Sequence, residues 1–570
     1  MVASNNGSDR RKVLLIGVDG ATFDLIRPWA EAGILPTFRR LMTQGATGEL
    51  QSVMPPVTPA AWGTLATGMN QGKHGLFDFY ARREGSYETM VVDASHRHGA
   101  SLWQLLSQAG RRTVVFNVPA TYPPEPVNGV MVSGLLTPTF ATDASQPVEL
   151  LAELKAAVPN FSFYPPGIFS EGEELKFIED VLGWDKMTLD ATEFLMKREP
   201  SWDFLFTVFI GVDIISHFMW KQMETHGASD STRDPKTREA VAQAIQSVYQ
   251  QVDSFIAQLM NEAGDDVLVM VVSDHGFGAL DHYMHLNAWL AQKGYLKFKR
   301  APLIILKQLM FRLGITPLRL LNLMRALRLG GKVQETASTH NDRLKALVKR
   351  AFLSSADVDW SRTTAYSTGY GGPIFVNLKG REPQGIVEPG AEYEKLLERI
   401  TADLRALRHP DTGEPFVGEI YRQHDLYHGP YSENAPDLQF APFDWRNQGY
   451  GVHDFASNRW LEPSPDRSGT HRMNGVLCLY GKGIEPGRKV EGASLQDIAP
   501  TVLALMGVPI PKTMDGQVLS AAFTDEGKAK LSVAFADAVD TPPETRAAAD
   551  LSPEDEQVIR ERLEALGYLG

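Results

Sequence analysis

Six side chains of this 570-residue sequence are of the types and spacings that hold divalent cations, and a seventh is of the type such cations activate. Asp213 and His217 stand four apart in Asp-Ile-Ile-Ser-His, so one helical turn would set both on one face, within reach of one ion. Asp274 and His275 are adjacent after an apolar run, and a turn at Gly276 can aim both at one place. Asp19 closes another apolar run, and His471 lies in Ser-Gly-Thr-His-Arg just before a third. Three carboxylates with three imidazoles suit Zn²⁺, the expected ion, or Mn²⁺, the alternative; an all-oxygen Ca²⁺ site has no use for histidines. Each fragment alone has a plainer reading, since an aspartate at a strand end often caps a helix. Their joint occurrence in an alternating strand and helix pattern points to a metal site.

Thr58 is the candidate nucleophile. An alcohol attacks poorly near neutral pH, and coordination to a dication lowers its pKa enough to form an alkoxide. It stands before Pro59 where a helix is predicted to start, and helix N-terminal amides suit an anion. The alternative is a plain helix cap. Lys73, His282 and His285 are the candidates for substrate contact, although Lys73, like Trp62, reads first as packing near the site.

The elements that must position these groups are legible. Residues 12–18 form a continuous apolar run, as a central parallel strand buried on both faces requires, and functional groups gather at the C-terminal ends of such strands. The runs 204–210 and 266–272 lead to Asp213 and Asp274, so three strands each deliver an aspartate at or just past their ends. A helix is predicted over 25–44 with a break at Pro36, a long amphipathic one over 238–263, and a last one over 552–569 with Ser552 as its cap.

Composition bounds the function. Hydrophobic residues are 43% and charged residues 22%, ordinary for a globular chain. Lys and Arg number 56 against 69 Asp and Glu, a net −13 that argues against nucleic acid as the partner of the whole surface. The single cysteine, Cys478, excludes an intramolecular disulfide and any thiolate metal cluster. The first residues lack a secretory h-region, and no uninterrupted 18-residue apolar stretch occurs, so a soluble cytoplasmic protein is expected. Residues 297–350 carry thirteen basic and two acidic side chains, a net +11 that leaves −24 for the rest. Within them, 303–329 is basic and amphipathic. We expect a helical cap over the active-site mouth, the alternative being peripheral contact with an anionic membrane.

The ordered set Gly17-Val-Asp-Gly20, Thr58 ahead of Ala-Thr-Gly68, Gly211-Val-Asp-x-x-x-His217, Ser273-Asp-His-Gly276 and Gly469-Thr-His471 resembles the alkaline phosphatase superfamily. Within it, the chain looks most like the type I phosphodiesterase/nucleotide pyrophosphatase branch. That resemblance implies an α/β fold, a three-layer αβα sandwich with two divalent metal ions, here with an inserted helical cap. It implies that Asp213, His217 and His471 hold one ion, and that Asp19, Asp274, His275 and the Thr58 oxygen hold the other. The expected domains are a core at 10–296, the basic cap at 297–360, the rest of the core with a small α/β elaboration at 361–525, and a tail with a helix at 526–570. The expected activity is hydrolysis of a small phosphodiester or pyrophosphate through a phospho-threonine. Alternatives are a phosphomonoesterase or phosphotransferase on a small or lipid-linked substrate, and a membrane-peripheral binding protein on a phosphatase-like scaffold. Nucleotide pyrophosphatases place an Asn three residues after the nucleophile; here that residue is Ala61, so backbone amides or another side chain must hold the phosphoryl oxygen. Sulfatases need Cys or Ser where Thr58 stands, which disfavours that activity.

Overall fold

Ten strands make the central sheet of the computed structural model, which describes residues 11–167, 169–226, 234–326, 351–451, 455–465, 467–537 and 551–567. They are β1 (Lys12–Val18), β2 (Ala46–Gln51), β3 (Thr113–Val118), β4 (Gly129–Ser133), β5 (Ser145–Gln146), β6 (Phe204–Phe209), β7 (Val267–Val272) and β8 (Asn474–Tyr480), with the short Arg488–Lys489 and Ala493–Ser494 beside β2. From the Arg488–Lys489 edge the order is β2, β8, β7, β1, β6, β3, β4, β5. β1 runs parallel to both β6 and β7. β8 is antiparallel to β7 and to β2. The continuous apolar text of β1, β6 and β7 thus reflects strands covered on both faces, and Cys478 is core within β8.

Two groups of helices cover the sheet. One contains α1 (Thr58–Thr67), which meets Leu102–Gln108 and Ile498–Leu505. The other contains α2 (Glu174–Arg198), α3 (Gly211–Glu224) and α4 (Ala244–Ala263), packed on one another. The helix expected over 25–44 is two helices, Phe23–Glu31 and Pro36–Gln44. Pro36 opens the second, the position where a missing N–H does no harm.

A second apolar core gathers residues between Met284 and Leu461, among them Trp289, Ile374, Ile400 and Phe440. It joins segments expected as separate units on either side of residue 360, and it takes in residues before 297. The basic segment begins here as α5 (Pro302–Arg312) and α6 (Pro317–Ala326). Ile304 and Phe311 of α5 pack on the second core, and Lys307 is buried in an ion pair with Asp357 at 3.0 Å. The segment's inward residues meet the second core, and its leucines point outward. Residues 327–350 of the segment lie outside the described residues.

The chain returns from this insertion through Gly469–Arg472, which pairs antiparallel with Gly276–Ala279 and sets His471 opposite Phe277. The crossing is tight: a Cβ at Gly276 would lie 2.2 Å from the Asn474 carbonyl oxygen. The helix α7 (Pro553–Ala565) is capped by Ser552, whose hydroxyl accepts from the Asp555 amide at 3.0 Å, and buries Ile559 and Leu563 in the main core. Among the described residues, no helix is long and apolar enough to cross a membrane.

Candidate metal centre and active site

Because β7, β1 and β6 are neighbours, their C-terminal ends bring Asp274, Asp19 and Asp213 together, all fully buried. Asp19 Oδ2 accepts from the Trp62 indole at 2.9 Å, and Asp274 Oδ1 from the Gly20 amide at 3.4 Å. Asp19 Oδ1, both Asp213 oxygens and Asp274 Oδ2 receive no hydrogen bond. Orphaned carboxylate oxygens are costly in a dry interior unless a cation or a proton meets them.

The imidazoles answer those oxygens. His217 Nδ1 donates to the Gly469 carbonyl at 3.1 Å, His275 Nδ1 to the Gly276 carbonyl at 3.1 Å, and His471 Nδ1 to the Pro56 carbonyl at 2.7 Å. A carbonyl only accepts, so each Nδ1 carries the proton and each Nε2 presents its lone pair. His217 Nε2 lies 3.5 Å and His471 Nε2 3.3 Å from Asp213. His275 Nε2 lies 3.4 Å from Asp19 and 3.3 Å from Asp274. The Nε2 atoms of His217 and His471 face each other at 3.2 Å. Lone pairs and carboxylate oxygens turned on one another, with each ring oriented from behind by a carbonyl, make a group that could hold a divalent metal ion. Two triads have ligand atoms within 4.8 Å of one another, Asp213/His217/His471 and Asp19/Asp213/His275; Asp213 belongs to both.

The electrostatics match. Burial, then the charges of Asp274 and Asp213, hold Asp19 well above the usual carboxylate range; burial and then Asp213 do the same to Asp274. Burial works against ionisation of Asp213 too, but His217 and His471 bring it well below. Burial, followed by His471, pushes His275 well below the usual imidazole value, and burial also lowers His217.

Thr58 is the first residue of α1. Val57 occupies the cap position and no side chain caps this helix, so the Thr58 hydroxyl is not a cap; its Oγ1 lies 3.4 Å from His275 Nε2. Of three neighbours, sequence reasoning passed over Asp185 and Arg467 and read Trp62 first as packing. Trp62, one turn further along α1, ties that helix to β1 through Asp19. Asp185 on α2 accepts the Gly211 amide at 3.1 Å, capping α3 where Ile210 offers nothing, and so fixes the turn that carries Asp213. A Cβ at Gly211 would fall 2.2 Å from Asp185 Oδ2. Arg467 is buried, and its charge bears on His217 and Tyr370. Only the proximity of Arg467 to His471 in sequence could have drawn attention to it; Asp185 had no local signal.

The candidates for substrate contact each have other partners or are buried. Lys73 pairs with Asp515 at 2.5 Å and donates to the Thr513 carbonyl at 3.0 Å. His282 meets Asn447 at 3.2 Å and forms a separate group with His409 and Asp411. His285 is buried, and burial pushes it down to about 4.

None of the seven central residues is more than 2% exposed. Gly567, just past α7, lies on the His217 ring; a Cβ there would stand 3.0 Å from His217 Cγ. A cavity of about 500 Å³, lined by Pro55, Asp78, Arg83, His98, Tyr370 and Tyr431 among others, adjoins the cluster. Tyr370 is shared between them, its ring centroid 5.4 Å from that of His471.

A family model described as type I phosphodiesterase / nucleotide pyrophosphatase matches residues 13–445. Two curated 2,3-bisphosphoglycerate-independent phosphoglycerate mutases match locally. That of Bacteroides thetaiotaomicron is 38% identical over 63 residues, 11% of this chain and 12% of its own. That of Laribacter hongkongensis is 41% identical over 58 residues, 10% of this chain and 11% of its own. Each match therefore spans about a tenth of either protein. Among solved structures, phosphonoacetate hydrolase from Sinorhizobium meliloti 1021 with phosphonoformate superposes at TM-score 0.49 and 12% identity, over 86% of this chain and 94% of that one. Human ectonucleotide pyrophosphatase / phosphodiesterase 5 does so at 0.44 and 11%, over 89% and 97%.

Two outcomes follow from the buried acids. Asp19 and Asp274 must lose protons to bind a cation, so metal affinity falls as pH falls, by about tenfold per pH unit for each proton released. Chelator competition with Zn²⁺ between pH 8 and pH 6 measures it; a flat profile would contradict the ligand set. Burial raises Asp185 to about 7 from its ordinary 3.8. Between those values the folded state binds the proton more than the unfolded state, so stability falls as pH rises, by about 4 kcal/mol at most. Asp185→Asn should flatten that part of the Tm profile, and an unchanged slope would count against the assignment.

Proposed function

The chain belongs to the type I phosphodiesterase / nucleotide pyrophosphatase family, and on that premise we propose that it cleaves phosphodiester or pyrophosphate bonds of a small substrate through a phospho-Thr58 intermediate. One observation carries this reading. Three histidines, each with Nδ1 committed to a carbonyl, aim Nε2 at carboxylate oxygens that have no hydrogen-bond partner, and the Thr58 hydroxyl stands at the edge of that group.

Asp213, His217 and His471 would hold one ion, and Asp19, Asp274, His275 and the Thr58 oxygen the other, with Zn²⁺ the first choice and Mn²⁺ the second. Bound there, such ions lower the pKa of the Thr58 hydroxyl and offset negative charge on the phosphoryl and leaving oxygens. The chain's own groups do the rest. Thr58 Oγ1 gives up its proton and attacks phosphorus as the bond to the leaving oxygen breaks, and the leaving oxygen takes up that proton. Water then attacks the same phosphorus, the bond to Oγ1 breaks, and a proton of that water restores the hydroxyl as the phosphomonoester product departs. The N-terminus of α1 offers amides to the phosphoryl group. Arg467 supplies the positive group needed where Ala61 replaces the Asn of nucleotide pyrophosphatases. The depth of the cluster keeps stray water from the first step.

A second reading, hydrolysis or transfer of a phosphomonoester, draws on the short matches to phosphoglycerate mutases. The reading as a membrane-peripheral binding protein without turnover is disfavoured by the complete donor set, which such a protein would have no reason to keep.

Chelated enzyme, reloaded with Zn²⁺ or Mn²⁺ and given a chromogenic phosphodiester and its matching monoester, tests the proposal. Turnover should return with metal and fall at least about a thousandfold in Thr58→Ala. Activity that survives that substitution removes Thr58 as nucleophile, and the ester preference chooses between the two enzyme readings. Arg467→Ala should lower kcat/KM about a hundredfold at unchanged metal content, with Arg467→Lys restoring part of it. Equal loss of bound metal would make Arg467 a structural residue instead.

A further inference from the structure

Helix α5 is built inside out. Its inward face carries Ile304 and Phe311 with the buried Lys307–Asp357 pair between them, while Leu303, Ile305, Leu306 and Leu309 face solvent. Leu313, Ile315, Leu320 and Leu323 continue the exposed set across the connection and into α6, and the eight are 45–66% exposed. Thirteen large apolar residues are at least 45% exposed among the described residues, and these eight fall within 21 consecutive positions. Scattered exposed leucines need no explanation, but a continuous patch marks a surface that something covers.

Charge says what that is. Lys299, Arg300, Arg312 and Arg319 are exposed around the leucines. No Asp or Glu occurs from Lys297 until Glu335, within a 297–350 segment of net +11 on a chain whose remainder is −24. A second copy of this surface would set one cationic patch against another. An acidic protein surface would satisfy the cations but not eight projecting aliphatic side chains. Apolar residues in a field of arginine and lysine, without carboxylates, fit a lipid interface with anionic headgroups: leucines enter the acyl boundary and cations stay among the phosphates.

We propose that the exposed face of α5 and α6 docks the protein peripherally on an anionic membrane surface. Docking does not depend on the phosphohydrolase reading, since none of its residues belongs to the metal centre. Vesicles of phosphatidylcholine with 30% phosphatidylserine, and vesicles of phosphatidylcholine alone, are floated with the full-length metal-loaded protein. At least tenfold more protein should float with the anionic vesicles, and salt should reduce that binding. The double substitution Leu306→Glu, Leu309→Glu should abolish flotation at an unchanged Tm and with unchanged turnover of a soluble chromogenic ester. Equal flotation of the double variant, or no preference for the anionic vesicles, overturns the proposal. So does light scattering that shows a dimer in the parent and a monomer in the variant, which would assign the patch to a second copy of the chain.

Discussion

Asp19, Asp213 and Asp274 are crowded together in the buried interior, and the rest of the molecule is arranged around that repulsion. Like charges removed from solvent persist only when protons or cations neutralise them. The surrounding imidazoles turn their Nε2 atoms toward these oxygens, because each Nδ1 is already taken up by a carbonyl. What remains is a set of oxygen and nitrogen lone pairs pointing inward. The fold therefore favours positive charge at this place.

Long-range structure maintains this arrangement. Parallel pairing of β1 with β6 and β7 aligns three strand ends, but His471 arrives only after the chain has built the second core and come back. The pairing of Gly469–Arg472 with Gly276–Ala279 then stacks His471 on His275, ring centroids 3.7 Å apart. Trp62 fastens α1 to Asp19, and Asp185 fastens the start of α3. Asp19, His217 and His471 are thus each held by a partner from another part of the sequence, the kind of outer support that metal-binding side chains need.

This explains what the sequence discloses and what it hides. Continuous apolar runs ending in aspartate identify β1, β6 and β7, and Asp-x-x-x-His needs only one helical turn to become a chelating pair. Those are local patterns. Asp185 acts across the interface between α2 and α3, and the Trp62 bond to Asp19 joins α1 to β1, so neither contact has a neighbour in sequence that reveals it. The basic helices show a different failure. Amphipathic periodicity indicates that α5 has two faces, but not which face turns inward. Here Lys307 goes in and the leucines go out, because Asp357 waits in the second core to take the ammonium group. The boundary expected near residue 297 is also blurred, since the second core recruits residues on both sides of it.

The seal over the cluster bears on the time for which it holds its contents. Its ligands are at most 2% exposed, and Gly567 rests on His217. An ion lodged there leaves only when that cover opens, so its residence is timed by a local unfolding event, not by the strength of the bonds alone. Exchange would then lag behind any change in the surrounding metal pool. The identity of the ion in a given molecule would be a record of what was present when the cover last closed.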